Sequence, residues 1–375
     1  MTIKNYIINS IIILALSCPS TPSEPENPSL NILWQTSTEL VDIPNSELLL
    51  IENEVLVYSG EAELLTAIST EDGSLIWQSN LYDGRALRAD HLLYSKENNR
   101  IIGRHFNNVM AWNATNGDKV FELSDSLNGI STSRVNYNTL TDNGFALVGE
   151  YNDAHIMDWD GELRYSIRIP WSTFSVDYFE SKLFIGQRNT VNGGLTQGRI
   201  RAFDAITGDS LWTYQTDNGG FHTRLFVQDG IVYGAAKGNS PLGEIVALDS
   251  KTGQKQWAYN EKDRAQTQNL AISNNKIYAN TGGGITALNL ENGELAWRVD
   301  WMGFDSNKPV YIQGYVYHVR DFELLVIDDD NGEVLHREPV PKGNGYFWNV
   351  TAGSDKIFVQ TNTQLIAYQP WHLRD

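Results

Sequence analysis

Three features of this chain predict an all-β molecule, an eight-bladed β-propeller of four-stranded antiparallel blades. A strand–turn–strand cassette returns at a near-constant interval. Two further β-rich runs precede each cassette. The strand missing where the chain ends is present near where it begins.

The cassette is clearest in Ala202-Phe-Asp-Ala-Ile-Thr-Gly-Asp-Ser-Leu-Trp212. Ala202 to Asp204 ends one extended run, and Leu211 and Trp212 open the next. Gly208 supplies the positive φ that a bulged hairpin turn needs. Asp204 can accept bonds from backbone N–H groups two residues on. The turn glycines fall at Gly73, Gly117, Gly161, Gly208, Gly253, Gly293 and Gly332, spaced 39 to 47 residues apart. Trp77, Phe121, Tyr165, Trp212, Trp257, Trp297 and His336 follow them in the aromatic place. Such a period, with four strands per unit, is that of a propeller blade.

In chain order, residues 1–17 read as an export signal. Lys4 is the early positive charge, and Tyr6 to Leu16 is an apolar run too short for a comfortable membrane span. The run ends Leu14-Ala-Leu-Ser-Cys18, and Cys18 is the only cysteine of the chain. Small residues before a cysteine suit cleavage and lipidation at Cys18, as in a bacterial lipobox. The alternative is a plain signal peptide with a chance cysteine. Residues 18–31 are rich in Pro and Ser and form an extended tether. No acidic residue follows Cys18 directly, which in a host with two membranes favours the outer one.

The propeller domain is expected over 32–375. Ile32-Leu-Trp-Gln35 matches Leu75-Ile-Trp-Gln78, the last strand of the first full repeat. Seven repeats follow, over about 47–78, 88–123, 135–168, 176–214, 224–259, 269–299 and 309–338. The fourth carries a long insertion at 187–197 and the fifth a shorter one at 237–243. Trp348–Ala352, Lys356–Val359 and Gln364–Tyr368 then supply three strands and no fourth. Pairing the 32–35 strand with them completes an eighth blade and removes two open sheet edges. Small residues recur on third strands (Ala67, Ala111, Ala202, Ala247, Ala287) and large aromatics on fourth strands, so neighbouring sheets can nest.

Composition excludes several function classes. The formal charge is −18, which argues against sequence-independent nucleic-acid binding and against anionic lipid on the body of the protein. A single cysteine excludes an internal disulfide framework. At 41% hydrophobic residues the chain can bury a substantial core.

The repeats resemble the quinoprotein (PQQ-like) propeller motif, Ala-x-Asp-x-x-Thr-Gly-x-x-x-Trp, over almost the whole chain from residue 32. In that family the Trp docks on the turn peptide of the adjacent blade. The resemblance therefore assigns Trp34, Trp77, Trp212, Trp257 and Trp297 to inter-blade packing, with Gly73, Gly117, Gly208, Gly253, Gly293 and Gly332 at the turns. The family's enzymes are larger quinone-dependent dehydrogenases, many with an adjacent Cys pair beside Ca²⁺, which this chain lacks. Size, lipobox and tether resemble the shorter, non-enzymatic, BamB-like lipoprotein branch.

Candidate chemistry is sparse. Asp328-Asp-Asp-Asn-Gly332 invites a Ca²⁺ reading but fails EF-hand spacing and reads as a solvated Asx turn. The seven histidines form no close ligand pair, though distant ones could converge at the ring axis. Gly282-Gly-Gly284 precedes a strand rather than a helix, so it lacks the phosphate-cradling context. No Gly-x-Ser-x-Gly elbow is present. Neither a cofactor nor a catalytic or metal-binding residue is expected. Loops from fourth strand to next first strand, and from second to third strand, share one face of the disc. That face collects Trp171, Phe221, His222, Trp301, Phe304, Tyr346, Phe347, Trp348, Arg85 and Arg264, residue types enriched at binding hot spots. The bland reading is that several of them cap sheet ends and are buried. Together these features predict a monomeric, lipid-anchored propeller with a protein partner at the cell envelope. A quinone-dependent dehydrogenase and an extracellular glycan-binding module are the alternatives.

Overall fold

A computed structural model describes residues 29–36, 48–59, 64–81, 92–105, 108–123, 135–149, 153–190, 196–217, 219–221, 223–237, 243–260, 267–273, 275–281, 283–301, 307–320 and 322–374. Cys18, Arg85, His222, Arg264 and Phe304 lie outside them.

The strands form eight antiparallel sheets. Blades 1 to 7 are consecutive meanders over residues 49–80, 93–123, 135–168, 172–216, 220–260, 267–300 and 310–339. Blade 8 combines Phe347–Ala352, Ile357–Thr361 and Leu365–Tyr368 with Ile32–Gln35. In that last pairing Ile32 faces Tyr368 and Trp34 faces Ala367. Thr36 N–H donates to Leu365 O at 3.0 Å, and Gln369 N–H to Asn31 O at 2.9 Å. The expected closure by the N-terminal strand is what the fold contains.

First strands of neighbouring blades touch one another near the axis. One apolar cluster fills each junction between blades. The cluster of Trp34, Leu56, Tyr58, Phe358 and Ala367 joins blade 8 to blade 1, so the ring has no open end. The core is thus eight wedges rather than one centre. Each wedge nests a small third-strand residue such as Ala67, Ala111 or Ala287 among larger neighbours.

The cassette explains the joints. Asp204 Oδ1 accepts from Ile206 N–H at 2.8 Å and Thr207 N–H at 2.9 Å. Gly208 N–H donates to Asp204 O at 2.9 Å, and a register shift follows Ala202. At the corresponding turn of blade 5, Gly253 has φ 71°. A Cβ there would sit 2.6 Å from the Trp212 ring of the preceding blade. Only glycine satisfies both conditions. The indole N–H of Trp212 then donates to Ser250 O at 3.0 Å. The joint repeats as Trp34 to Thr70 O, Trp77 to Ala114 O, Trp257 to Leu290 O and Trp297 to Asp329 O, at 2.6 to 3.1 Å. Those rings lie against Gly73, Gly117, Gly293 and Gly332. Phe121 lies on Gly161, and Tyr165 lies on Gly208 with its hydroxyl donating to Ala205 O.

Several elements differ from the sequence reading. The first strand of blade 5 is broken into Gly220–Phe221 and Phe226–Gln228. Both pair with Ile231–Lys237, which is too long for one short partner. The 187–197 insertion in blade 4 mostly lengthens the ladder, which runs on to Thr190 opposite Thr196. The packed body starts before residue 32, because Leu30 is buried in the blade 7–8 cluster. Asp329 is not solvated as the turn reading expects. It is buried, bonded to Lys276 Nζ at 3.0 Å and to the Tyr278 hydroxyl at 2.6 Å. Asp328 is the capping residue of that turn, accepting from Asp330 N–H at 2.8 Å.

Candidate partner-binding face

The inter-blade loops and the loops between second and third strands meet on one face. At the blade 7–8 boundary, Tyr346 N–H donates to Asn362 Oδ1 at 2.9 Å, and Thr363 Oγ1 to Asn344 Oδ1 at 3.0 Å. These bonds fasten the entering loop to the blade 8 hairpin. On that platform Tyr346 is 37% and Trp348 43% exposed, with ring centroids 5.0 Å apart. They stay outside because Phe347, between them, points inward and is 2% exposed. Phe347 therefore anchors the strand and presents no surface to a partner.

Phe322 adds a third ring that the sequence reading missed. It is 64% exposed in the hairpin loop of blade 7, where its carbonyl accepts Val340 N–H at 2.8 Å. The available signal was a bare phenylalanine between Asp321 and Glu323, where a tight loop ordinarily carries small polar residues.

Trp301 is half-buried. Its ring stacks on His318 at 5.1 Å and the Arg320 guanidinium lies 5.5 Å from it, while its backbone N–H donates to Gly283 O at 2.8 Å. Trp171, across the disc at the blade 3–4 junction, is also half-buried and carries the Arg199 guanidinium 3.8 Å above its ring. Arg199 further donates to Gln187 Oε1 at 2.8 Å and to Pro170 O. Burial, with Arg201 nearby, pulls its guanidinium down to about 10. Phe221 is 0% exposed and packs in the blade 4–5 cluster, because the broken first strand turns it inward. The structure thus brings together Tyr346 and Trp348, adds Phe322, and places Trp171 and Trp301 as separate, partly covered rings.

The axis holds a cavity of about 310 Å³ lined by first-strand residues, with Asp177 and Lys308 as its charged groups. Asp177 accepts from Tyr178 N–H and Val227 N–H, each at 2.9 Å. Burial nonetheless raises its carboxyl above the ordinary value. The described histidine rings stand apart from one another. His155 pairs with Ser166, His318 stacks on Trp301, His336 meets Glu338 and Trp371, and His372 stacks on Tyr315. Among the described residues no three acidic, His or Cys side chains are grouped to hold a metal, and no helix is long and apolar enough to cross a membrane.

Comparison with known proteins agrees with this architecture. The crystal structure of BamB from Moraxella catarrhalis superposes with TM-score 0.70 at 15% identity, covering 91% of this chain and 100% of that one. The computationally designed Ika8 protein gives 0.70 at 14% identity, covering 90% and 99%. The C-terminal WD40 domain of Sif2 gives 0.64 at 11% identity, covering 91% and 96%. At these identities the likeness is one of fold. No curated protein matches the sequence. The family described as outer membrane protein assembly factor BamB matches residues 28–259 and 175–299. This chain, with its PQQ-like repeats and eight-bladed ring, belongs to that family.

Proposed function

We propose that this protein is a non-catalytic scaffold of the bacterial cell envelope, anchored by lipid on Cys18, that holds a protein partner on its aromatic loop face. In this reading residues 1–17 are removed on export and the segment after Cys18 spaces the propeller from the membrane. The family description, an outer membrane assembly factor, supports a role in holding other envelope proteins. The observation that carries the reading is the exposed set Phe322, Tyr346 and Trp348 on the rigid blade 7–8 loops. Large rings on a preformed platform lose little entropy on binding and dominate interface energetics.

The test is capture from the native membrane with tagged wild type and with a Phe322→Ala, Tyr346→Ala, Trp348→Ala variant. The partner recovered with wild type is expected to be lost with the variant, at unchanged thermal stability. Equal recovery with both would show that binding occurs elsewhere. A Cys18→Ala variant is expected to leave the membrane fraction, and its retention there would remove the anchor from the proposal.

A further inference from the structure

Blades 5, 6 and 7 place a tyrosine at the same point, the third residue of the second strand: Tyr233, Tyr278 and Tyr317. In register they face Ala247, Ala287 and Val326. Two of the three hydroxyls are satisfied by the following blade or the chain end. Tyr278 donates to Asp329 Oδ1 at 2.6 Å, and Tyr317 accepts from Trp371 N–H at 2.7 Å. Around Tyr278 the space is filled by the buried Lys276–Asp329 ion pair.

At the blade 5–6 junction the same positions carry different residues. Leu290 stands where Asp329 stands, since the carbonyls of both accept the docking tryptophan. Ile231 stands where Lys276 stands, as the first residue of the second strand. The ion pair is thus replaced by two aliphatic side chains, and a cavity of about 710 Å³ opens between the blades. Tyr233 lines it, is 3% exposed, and has no hydrogen-bond partner among the described residues. Burial, with the Asp229 carboxylate next in effect, pushes its phenol up to about 12, so it stays a donor. The ring is buried but the hydroxyl is open to the cleft, where a ligand oxygen can pair with it.

The lining defines that ligand. Asp229, Gln256, Asn275, Asn289 and Glu291 stand around an apolar floor of Ile231 and Leu290, and no lining residue is cationic. Amides that donate and accept, beside carboxylates that accept, match vicinal hydroxyls, and an aliphatic floor suits the C–H face of a pyranose ring. Anions are excluded by the carboxylates. An ammonium group would lack the deep counter-ion that Asp329 gives Lys276, because that position is Leu290. We infer that the cleft between blades 5 and 6 is a binding site for a neutral sugar unit, with Tyr233 as its central hydrogen-bonding group. It opens between the turns on the face opposite Tyr346 and Trp348 and does not depend on the partner proposed there.

The test is titration of the folded mature chain with a panel of neutral oligosaccharides such as maltose, cellobiose and lactose, followed by tryptophan fluorescence and calorimetry. At least one is expected to bind. Tyr233→Phe, which removes a single oxygen, is expected to weaken it roughly tenfold. An Ile231→Lys, Leu290→Asp variant rebuilds the blade 6–7 ion pair inside the cleft and is expected to abolish binding. Thermal melts of both variants establish that they fold. The inference is overturned if no neutral sugar binds, if binding survives Tyr233→Phe unchanged, or if a primary amine such as spermidine binds the cleft in place of sugars.

Discussion

A single hydrogen-bonding geometry recurs in the turn residues, and it makes specific demands. Gly253 meets two at once, a left-handed backbone and an indole 2.6 Å from where a Cβ would sit. Gly253→Ala is therefore expected to cost about 2–4 kcal/mol in chemical denaturation, combining backbone strain with overpacking. Trp348→Ala, at an exposed ring, is expected to change stability by no more than about 0.5 kcal/mol. The turn carboxylates give a pH dependence of known sign. The Thr252 hydroxyl, with backbone N–H groups, holds the Asp249 carboxyl below its ordinary 3.8, and the N–H groups of Thr207 and Ile206 do the same for Asp204. A carboxyl depressed in the folded state adds stability above its unfolded pKa and loses it as pH falls through the folded value. Melting temperatures should hold down to about pH 4 and fall below it, and Asp249→Asn should make that fall shallower.

The strands at the seam replace the repeated joint with a different one. His336 has no following turn glycine to sit on. It stacks on Trp371 at 5.3 Å, and its Nε2 lies 2.8 Å from Glu338 Oε2. The same carboxylate oxygen accepts Leu30 N–H at 2.7 Å. Glu338 thus ties the entering segment to the blade 7 edge out of water, and His336 carries the contact on to Trp371 of the C-terminal turn. Glu338→Ala leaves a backbone N–H and an imidazole unpaired there, and is expected to cost about 1–3 kcal/mol. Equilibrium unfolding in urea measures this; an unchanged midpoint would show that the seam tolerates the loss. The histidine in the aromatic place was visible in the sequence. Its partners were not, because Leu30 and Glu338 are 308 residues apart along the chain.

The molecule as a whole closes by contacts of extreme sequence separation. Deleting residues 1–36 removes the fourth strand of blade 8, the Trp34 joint on Gly73 and the buried Leu30. The Leu365–Tyr368 edge would then be left unpaired, and an exposed hydrophobic edge invites association between chains. Size-exclusion chromatography of that truncation should show oligomers or loss of folded protein. A well-folded monomer would mean the other seven junctions suffice.

Repeat number, blade order and the complementary chain ends could be read from the chain, because each depends on local turn chemistry and strand periodicity recurring at a fixed interval. Trp77, Trp212, Trp257 and Trp297 announce themselves in the same way. Exposure does not, since it depends on what the neighbouring blade brings to a site. Phe347 and Trp348 are adjacent aromatics, yet alternation along the strand buries one and bares the other. Phe221 turns inward at a break in its strand. The cleft beside Tyr233 exists because Leu290 and Ile231, far apart in sequence, jointly omit an ion pair that the next junction keeps. Such outcomes belong to contacts between blades, which no stretch of the chain encodes alone.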